Sequence, residues 1–279
     1  MSDFDPPAVV VRDIVTRMLA EDVGLLGDLT SIATVPESAT ATGWFRSRSA
    51  GVLAGTASAT EVFTQVDPTV VVEWQATDGD ELDAGTEIAT VRGPKRSILA
   101  AERSALNLLG HLSGVATLTR RYVNAAHGRT RIRDTRKTLP GLRALQKAAV
   151  RAGGGFNHRE SLSDAVLIKD NHLVGTEIEV AVERARARWP GRIVEVECDS
   201  IDQVRRVAPI RPDLVLLDNM TPDEVRAAIA ALDGACPVEV SGGVDLDSIA
   251  AYAATGADFV SIGALTHSVS NLDLGLDME

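Results

Sequence analysis

From about residue 130 onward, short apolar runs alternate with amphipathic stretches, and this pattern constrains the fold more than any other feature of the chain. Runs suited to strands recur at Ile132 to Thr135, Val166 to Lys169, Ile193 to Glu197, Leu214 to Asp218, Val238 to Ser241 and Phe259 to Gly263. Helix-like stretches lie between the later ones, near 176–188, 200–208, 222–232 and 245–255. Repeated β-α units of this kind predict a parallel sheet with helices outside it. No Gly-x-Gly-x-x-Gly follows a first strand, which disfavours a dinucleotide-binding fold. Each run is apolar until its C-terminal end and then stops on functional groups: Arg136-Lys137, Lys169-Asp170, Glu197, Asp218-Asn219, Ser241-Gly242-Gly243 and Gly263-Ala264. In an α/β barrel these ends converge on the face that carries the active site. Strand parity places Glu195 and Glu197 on one face and the intervening valines on the other, so both carboxylates are expected to face the barrel lumen.

The N-terminal part reads differently. Val9 to Ala20 has a helical spacing of apolar residues, and Gly43 to Arg92 holds short β-prone segments among Gly/Asp turns. Its Asp78 to Thr86 stretch is like a turn of a swivelling carrier domain. No lysine sits at a hairpin tip to carry a prosthetic group, so the turn is read as structural. A strong helix is expected after Pro94, running through Leu109. The 279 residues suffice for one large barrel or two modest domains. No apolar run is long enough to span a bilayer, and Met1 to Pro7 is unlike a secretory signal. Cys198 and Cys236 cannot form a disulfide framework. A reduced, cytoplasmic protein is expected.

The net charge of −11 argues against nucleic-acid or acidic-membrane partners. Yet Arg129 to Lys169 contains ten Lys/Arg against three acids, a local net of +7 that suggests an anionic small molecule. Within that window Arg143, Lys147 and Arg151 are spaced four apart and are read as one solvated helix face. Arg136, Lys137, Arg159 and Lys169 are the ones expected to bind. Arginine reads carboxylates bidentately and lysine acts as a point charge. Ser241-Gly242-Gly243 and Gly263-Ala264, at the last two strand ends, suit a phosphate held by backbone N–H groups. Glu197 and Asp218, ending neighbouring strands, suit either Mg²⁺ or the developing cation of a sugar ring. The five histidines show no metal-ligand spacing.

At these residues the sequence closely resembles the quinolinate phosphoribosyltransferase family. The resemblance rests on Arg133 to Gly141, Gly153 to Arg159, Leu167 to His172, Leu217-Asp218-Asn219 and Ser241 to Gly243. Gly27 to Ser31, Ala101-Glu102-Arg103 and Gly263 to Ser268 add to it, so it covers essentially the whole chain. It implies an incomplete α/β barrel (111–267) plus an N-terminal α/β sandwich domain (1–110) completed by residues 268–279. It implies a homodimer whose active site is shared between subunits, and Mg²⁺ as cofactor. Arg103 would reach into the partner's site and, with Arg136, His158, Arg159 and Lys169, would bind the carboxylates of quinolinate, and Thr135 would also bind substrate. Lys137 and Lys169 would also touch phosphoribosyl pyrophosphate, with Glu197 and Asp218 at its ribose and Mg²⁺, directly or indirectly. Ser241, Gly242, Gly243, Gly263 and Ala264 would cradle phosphate. The implied catalytic set is Lys137, Lys169, Glu197 and Asp218. Glu160-Ser161 departs from the apolar residue and glycine common after His-Arg in the family, and an outward-pointing Glu160 would matter little.

Three other readings are weaker. A paralogue linked to molybdenum transport is expected to alter the Asn157-His158-Arg159 and Lys169 to His172 segments, which are intact here. A nicotinate phosphoribosyltransferase would not need so many cations. A non-catalytic carrier or interaction protein leaves the polar strand ends unexplained.

Overall fold

The structure is a computed structural model that describes residues 4–279. The first stretch of chain runs α1 (Ala8–Val23), α2 (Leu29–Thr34), β1 (Thr40–Ser47), β2 (Gly51–Val52), α3 (Thr56–Val66), β3 (Val71–Trp74), β4 (Glu81–Leu82), β5 (Glu87–Pro94) and α4 (Lys95–Ala125). It continues with β6 (Arg131–Arg133), α5 (Arg143–Ala152), β7 (Val166–Ile168), α6 (Ile178–Arg188), β8 (Val194–Cys198), α7 (Ile201–Val207), β9 (Leu214–Asp218) and α8 (Pro222–Leu232). The last elements are β10 (Val238–Ser241), α9 (Ile249–Ala253), β11 (Phe259–Ser261), α10 (Ala264–His267) and β12 (Leu274–Met278). Two compact units result: one holds the chain to Arg120, Thr138–Gly154 and Leu265–Glu279, the other Arg121–Lys137 and Gly155–Ala264. This grouping differs from the domain bounds implied by the resemblance in placing 111–120, 138–154 and 265–267 with the N-terminal unit.

The first unit is built on an antiparallel sheet in the order β12-β1-β5-β3, with Phe45 of β1 opposite Leu276 of β12. The C-terminal tail therefore completes this sheet. Phe45 stacks on Trp74 and meets Phe63 of α3 edge-on, at centroid distances of 6.2 and 6.0 Å. Phe45 and Phe63 are buried, as are Val62, Ile88, Val91 and Ile98, while Trp74 is half-buried. Helix α3 falls in a region read as β-prone. Its first N–H groups are capped from a distance: Asp78 accepts from Gly55 and Thr56 at 2.8 and 3.1 Å. That contact gives the Asp78 to Thr86 turn a structural role. Helix α4 runs well beyond the expected end at Leu109. A Cβ at Gly114 would collide with the backbone oxygen of Ser270 and one at Gly110 would press on that of Leu272, so glycine here admits the returning tail.

The basic face expected on α5 is only partly solvated, with Arg143 and Arg151 half-buried. Lys147 is completely buried, and Leu145 through Val150 are buried with it. Arg143 Nε donates to Thr138 Oγ1 (3.1 Å) and Arg151 Nη2 to the Phe4 carbonyl (2.9 Å). Spacing of four aligned these side chains on one face but carried no information about what covers that face.

The second unit contains an entirely parallel sheet in the order β6-β11-β10-β9-β8-β7. Apart from β6, which follows β11, this is chain order, as in a barrel opened between β6 and β7. Phe156 bridges onto β6 at Arg133 on that open side. Helices α6, α7, α8 and α9 separate the later strands. The strand interiors are wholly buried at Val194, Val196, Val215, Leu217, Val240 and Val260. Local signals set the helices. At α8, Thr221 and Glu224 form a reciprocal capping box that spans Pro222 in the first turn. All six expected strands are present, and Asp218 and Ser241 are the final residues of their strands.

Candidate active site

The strand C-termini of the second unit enclose a cavity of about 270 Å³. Thr135, Arg136, Lys137, His158, Arg159, Lys169, Glu197, Asp218 and Ser241 line it, with Leu167, Leu216, Glu239 and Ser261. Nine of the residues singled out from sequence are thus brought together. Gly242, Gly243, Gly263 and Ala264 follow the last two barrel strands but do not line this cavity. Gly242 and Gly243 both have positive φ, +93° and +66°, and a side chain at Gly242 would strike the Asn219 amide. Arg103 is exposed on α4 of the first unit and is likewise absent from the lining.

Cations and carboxylates occupy different strand ends. Arg136, Lys137, Arg159 and Lys169 follow β6 or flank β7, while Glu197, Asp218 and Glu239 come from β8, β9 and β10. Lys169 Nζ and Glu197 Oε2 are paired across the seam in very close contact. Asp218 Oδ2 accepts from the Asn219 side chain at 2.8 Å. Arg159 is steadied by its bond to the Ala165 carbonyl (2.9 Å). Burial, and then the nearby Arg136, lower the Arg159 pKa from a value so high that the guanidinium stays charged. Arg136 Nε is buried with no partner among the described residues, a donor that an incoming anion would satisfy. Glu160 is exposed, and its N–H donates to Asp164 (2.6 Å).

A deeper layer joins His158 and the lumen-facing Glu195 to residues given no role from the sequence. Asp134 is fully buried and accepts from the His158 N–H (2.9 Å) and the Asn157 side chain (2.6 Å), fixing the Asn-His-Arg segment. His158 Nε2 lies 3.1 Å from Glu195 and 3.5 Å from Glu239. Glu239 also receives Arg133 Nη1 at 2.6 Å and the Ser261 hydroxyl. Parity did expose one signal, since Glu195, Glu197 and Glu239 all alternate with buried valines. The lumen divides them: Glu197 joins Lys169 at the cavity, and Glu195 lies beneath it with His158. Cys198 is no nucleophile, because burial pushes its thiol up to about 12.

The quinolinate phosphoribosyl transferase C-terminal domain profile matches residues 115–277, and the N-terminal domain profile of the same enzyme matches residues 28–113. The chain belongs to the quinolinate phosphoribosyltransferase family. It is 45% identical over 275 residues to the nicotinate-nucleotide pyrophosphorylase [carboxylating] of Mycobacterium leprae, covering 96% of both chains. It is 38% identical to a probable enzyme of the same name from Bacillus subtilis, covering 96% of this chain and 93% of that one. Among solved structures, the nicotinate-nucleotide pyrophosphorylase of Francisella tularensis superposes with a TM-score of 0.93 at 39% identity, over 99% of this chain and 98% of that one. The family's incomplete barrel and sheet-bearing N-terminal domain are the fold described above, and no described helix is long and apolar enough to cross a membrane.

Proposed function

We propose that this chain transfers the phosphoribosyl group of phosphoribosyl pyrophosphate to the ring nitrogen of quinolinate and releases CO₂, yielding nicotinate mononucleotide and pyrophosphate. The observation that carries the reading is one cavity at the barrel strand ends lined by four cations together with Glu197 and Asp218, with the buried Glu239 deeper in its wall. A dicarboxylate and a pyrophosphate need the cations, and a sugar carbon that becomes cationic needs the carboxylates.

In the first step the pyridine nitrogen forms a bond to ribose C1 as the C1–O bond to pyrophosphate breaks and its electrons leave with that oxygen. Glu197 and Asp218 stabilise the positive charge that grows on the ribose. Arg136 and Arg159 hold the substrate carboxylates, and Leu167 and Leu216 offer apolar wall to a planar ring. Lys137 and Lys169 balance the departing pyrophosphate. Lys169 already rests on Glu197, so the site is preorganised around a charge pair that substrate rearranges. In the second step the C2–CO₂ bond breaks, its electrons stay in the cationic ring, and a proton from solvent takes the vacated carbon. Cations near that carboxylate hold it for departure. No covalent intermediate with the protein is required.

Glu197 and Asp218 are hard oxygen donors on adjacent strands and fit Mg²⁺. When bound there with substrate, Mg²⁺ supplies charge for the pyrophosphate oxygens. The chain acts as a homodimer in which the exposed Arg103 serves the partner's site, and it works in the cytoplasm. Mixing an inactive Arg103→Ala protein with an inactive Lys137→Ala protein restores activity on this reading, and no restoration despite confirmed subunit exchange removes Arg103 from that role.

The deciding experiment incubates the protein with phosphoribosyl pyrophosphate, Mg²⁺ and either quinolinate or nicotinate, and measures nucleotide and CO₂. Nucleotide with stoichiometric CO₂ from quinolinate alone is expected. A folded protein that forms no product from quinolinate would refute the proposal.

A further inference from the structure

Four described residues other than glycine have a left-handed backbone: His127, Arg211, Asn219 and Asp233. Arg211 and Asp233 cap helical segments and His127 follows the end of α4, where such a conformation is ordinary. Asn219 (φ +57°) instead follows a strand, directly after Asp218 of the cavity. Its N–H still donates to the Ser241 carbonyl (2.9 Å), the last rung between β9 and β10. The chain then turns toward α8 within three residues. Met220 is buried and its carbonyl accepts from the Tyr252 hydroxyl (3.1 Å), while Thr221 caps the helix. Asparagine tolerates a left-handed backbone better than most residues, but glycine tolerates it at lower cost. The amide therefore needs an account of its own.

Asn219 Nδ2 donates to Asp218 Oδ2 at 2.8 Å, and no other hydrogen bond or ion pair among the described residues reaches that carboxylate. Glu197, by contrast, is paired with Lys169. A carboxylate only accepts, so this contact turns the amide nitrogen toward Asp218 and leaves the amide oxygen facing Gly242. A Cβ at Gly242 would collide with that oxygen and stand 2.8 Å from Asn219 Cγ. One side chain thus lies between the Asp218 carboxylate and the glycine turn that follows the next strand.

Resting on the reading that these two features hold phosphoribosyl pyrophosphate, we propose that Asn219 is a positioning residue for the phosphoribosyl donor. Braced against Gly242, its amide sets the orientation of the Asp218 carboxylate and keeps it in register with the Ser241 to Gly243 turn. A donor bond to an ionised acceptor is directional and strong enough to select one carboxylate orientation. The cations assigned to quinolinate follow β6 or flank β7, and at least one strand separates each of those from β9. Asn219 should therefore govern one substrate and leave the other alone.

Two variants test this. Asn219→Gly keeps the left-handed backbone and removes the amide. Asn219→Asp keeps the shape against Gly242 but turns an acceptor toward Asp218. Calorimetry on the full-length protein measures the affinity for phosphoribosyl pyrophosphate with Mg²⁺ and, separately, for quinolinate; steady-state rates give both KM values. Both variants should bind the donor about tenfold or more weakly and raise its KM alike, while quinolinate affinity changes less than about twofold and Tm stays nearly unchanged. Full donor affinity in either variant overturns the proposal. So do equal losses for the two substrates, a fall in kcat alone, or loss of the fold in both variants, each of which would make Asn219 merely structural. The donor measurement needs no turnover. An unaltered enzyme that binds the donor yet releases no CO₂ from quinolinate refutes the functional reading and leaves the comparison of variants standing, and one that is folded but binds no donor refutes both.

Discussion

The +7 window contains two basic groups that the structure treats in opposite ways. Arg136, Lys137, Arg159 and Lys169 line a cavity at the barrel strand ends, while Arg143, Lys147 and Arg151 lie on α5 in the other compact unit, with Lys147 fully buried. Linear charge density cannot distinguish them. What distinguishes them is the backbone beneath: a strand end releases a side chain into a cavity, and a packed helix locks it into a core. The first group should therefore be read by catalysis and the second by stability.

The largest effect expected from this division is on Lys169. Lys169→Met removes a partly exposed cation from a site of charge transfer and should lower kcat by about 10²–10³-fold, with little change in Tm. Steady-state rates and a thermal melt on the same sample check it. An unfolded variant, or one with full activity, breaks the assignment of the strand-end group to chemistry.

Lys147 should give the mirror result. Lys147→Ala leaves a cavity in place of a long buried side chain and deprives its surroundings of a charge, destabilising the protein by about 3 kcal/mol. Denaturant unfolding measures that loss, and the folded fraction should keep its KM for quinolinate. A catalytic defect at unchanged stability would merge the two groups again. Arg143→Ala is a milder case, because Arg143 is only half-buried and bonded to Thr138, and a loss of about 1 kcal/mol is expected by the same measurement.

How far these roles could be read from sequence depended on whether the determining contacts were local. The six barrel strands and the helices after them are specified by alternation and by signals such as the Thr221 to Glu224 capping box, all within a few residues. Their position at the ends of neighbouring strands then pointed Glu197 and Asp218 to the cavity. Helix α3 was not legible because the carboxylate that caps it belongs to Asp78, far along the chain. The extension of α4 was masked by Gly110 and Gly114, whose helix penalty is tolerated only because the C-terminal tail needs the room. Likewise, Asp134 looks like an ordinary strand-flanking acid until the fold closes it around the Asn157 to Arg159 segment.

The smallest effect tests whether adjacency in sequence matters once exposure is known. Glu160 follows Arg159 directly, yet its side chain is exposed while Arg159 is drawn toward the cavity and held at the Ala165 carbonyl. Water and salt screen an exposed carboxylate, so its charge should be worth little to a ligand in the cavity. The turn itself is held through the Glu160 main chain, whose N–H goes to Asp164 and survives a side-chain change. Those backbone bonds keep the Asp164 pKa below its ordinary value of 3.8, so the turn persists at neutral pH and is released only as acid protonates that carboxylate. Glu160→Gln should therefore change the KM for quinolinate by less than about twofold, and varying the ionic strength should shift both proteins alike. A much larger, salt-dependent gain in affinity would mean that Glu160 competes with the substrate for Arg159, and that this acid, although exposed, belongs with the strand-end group.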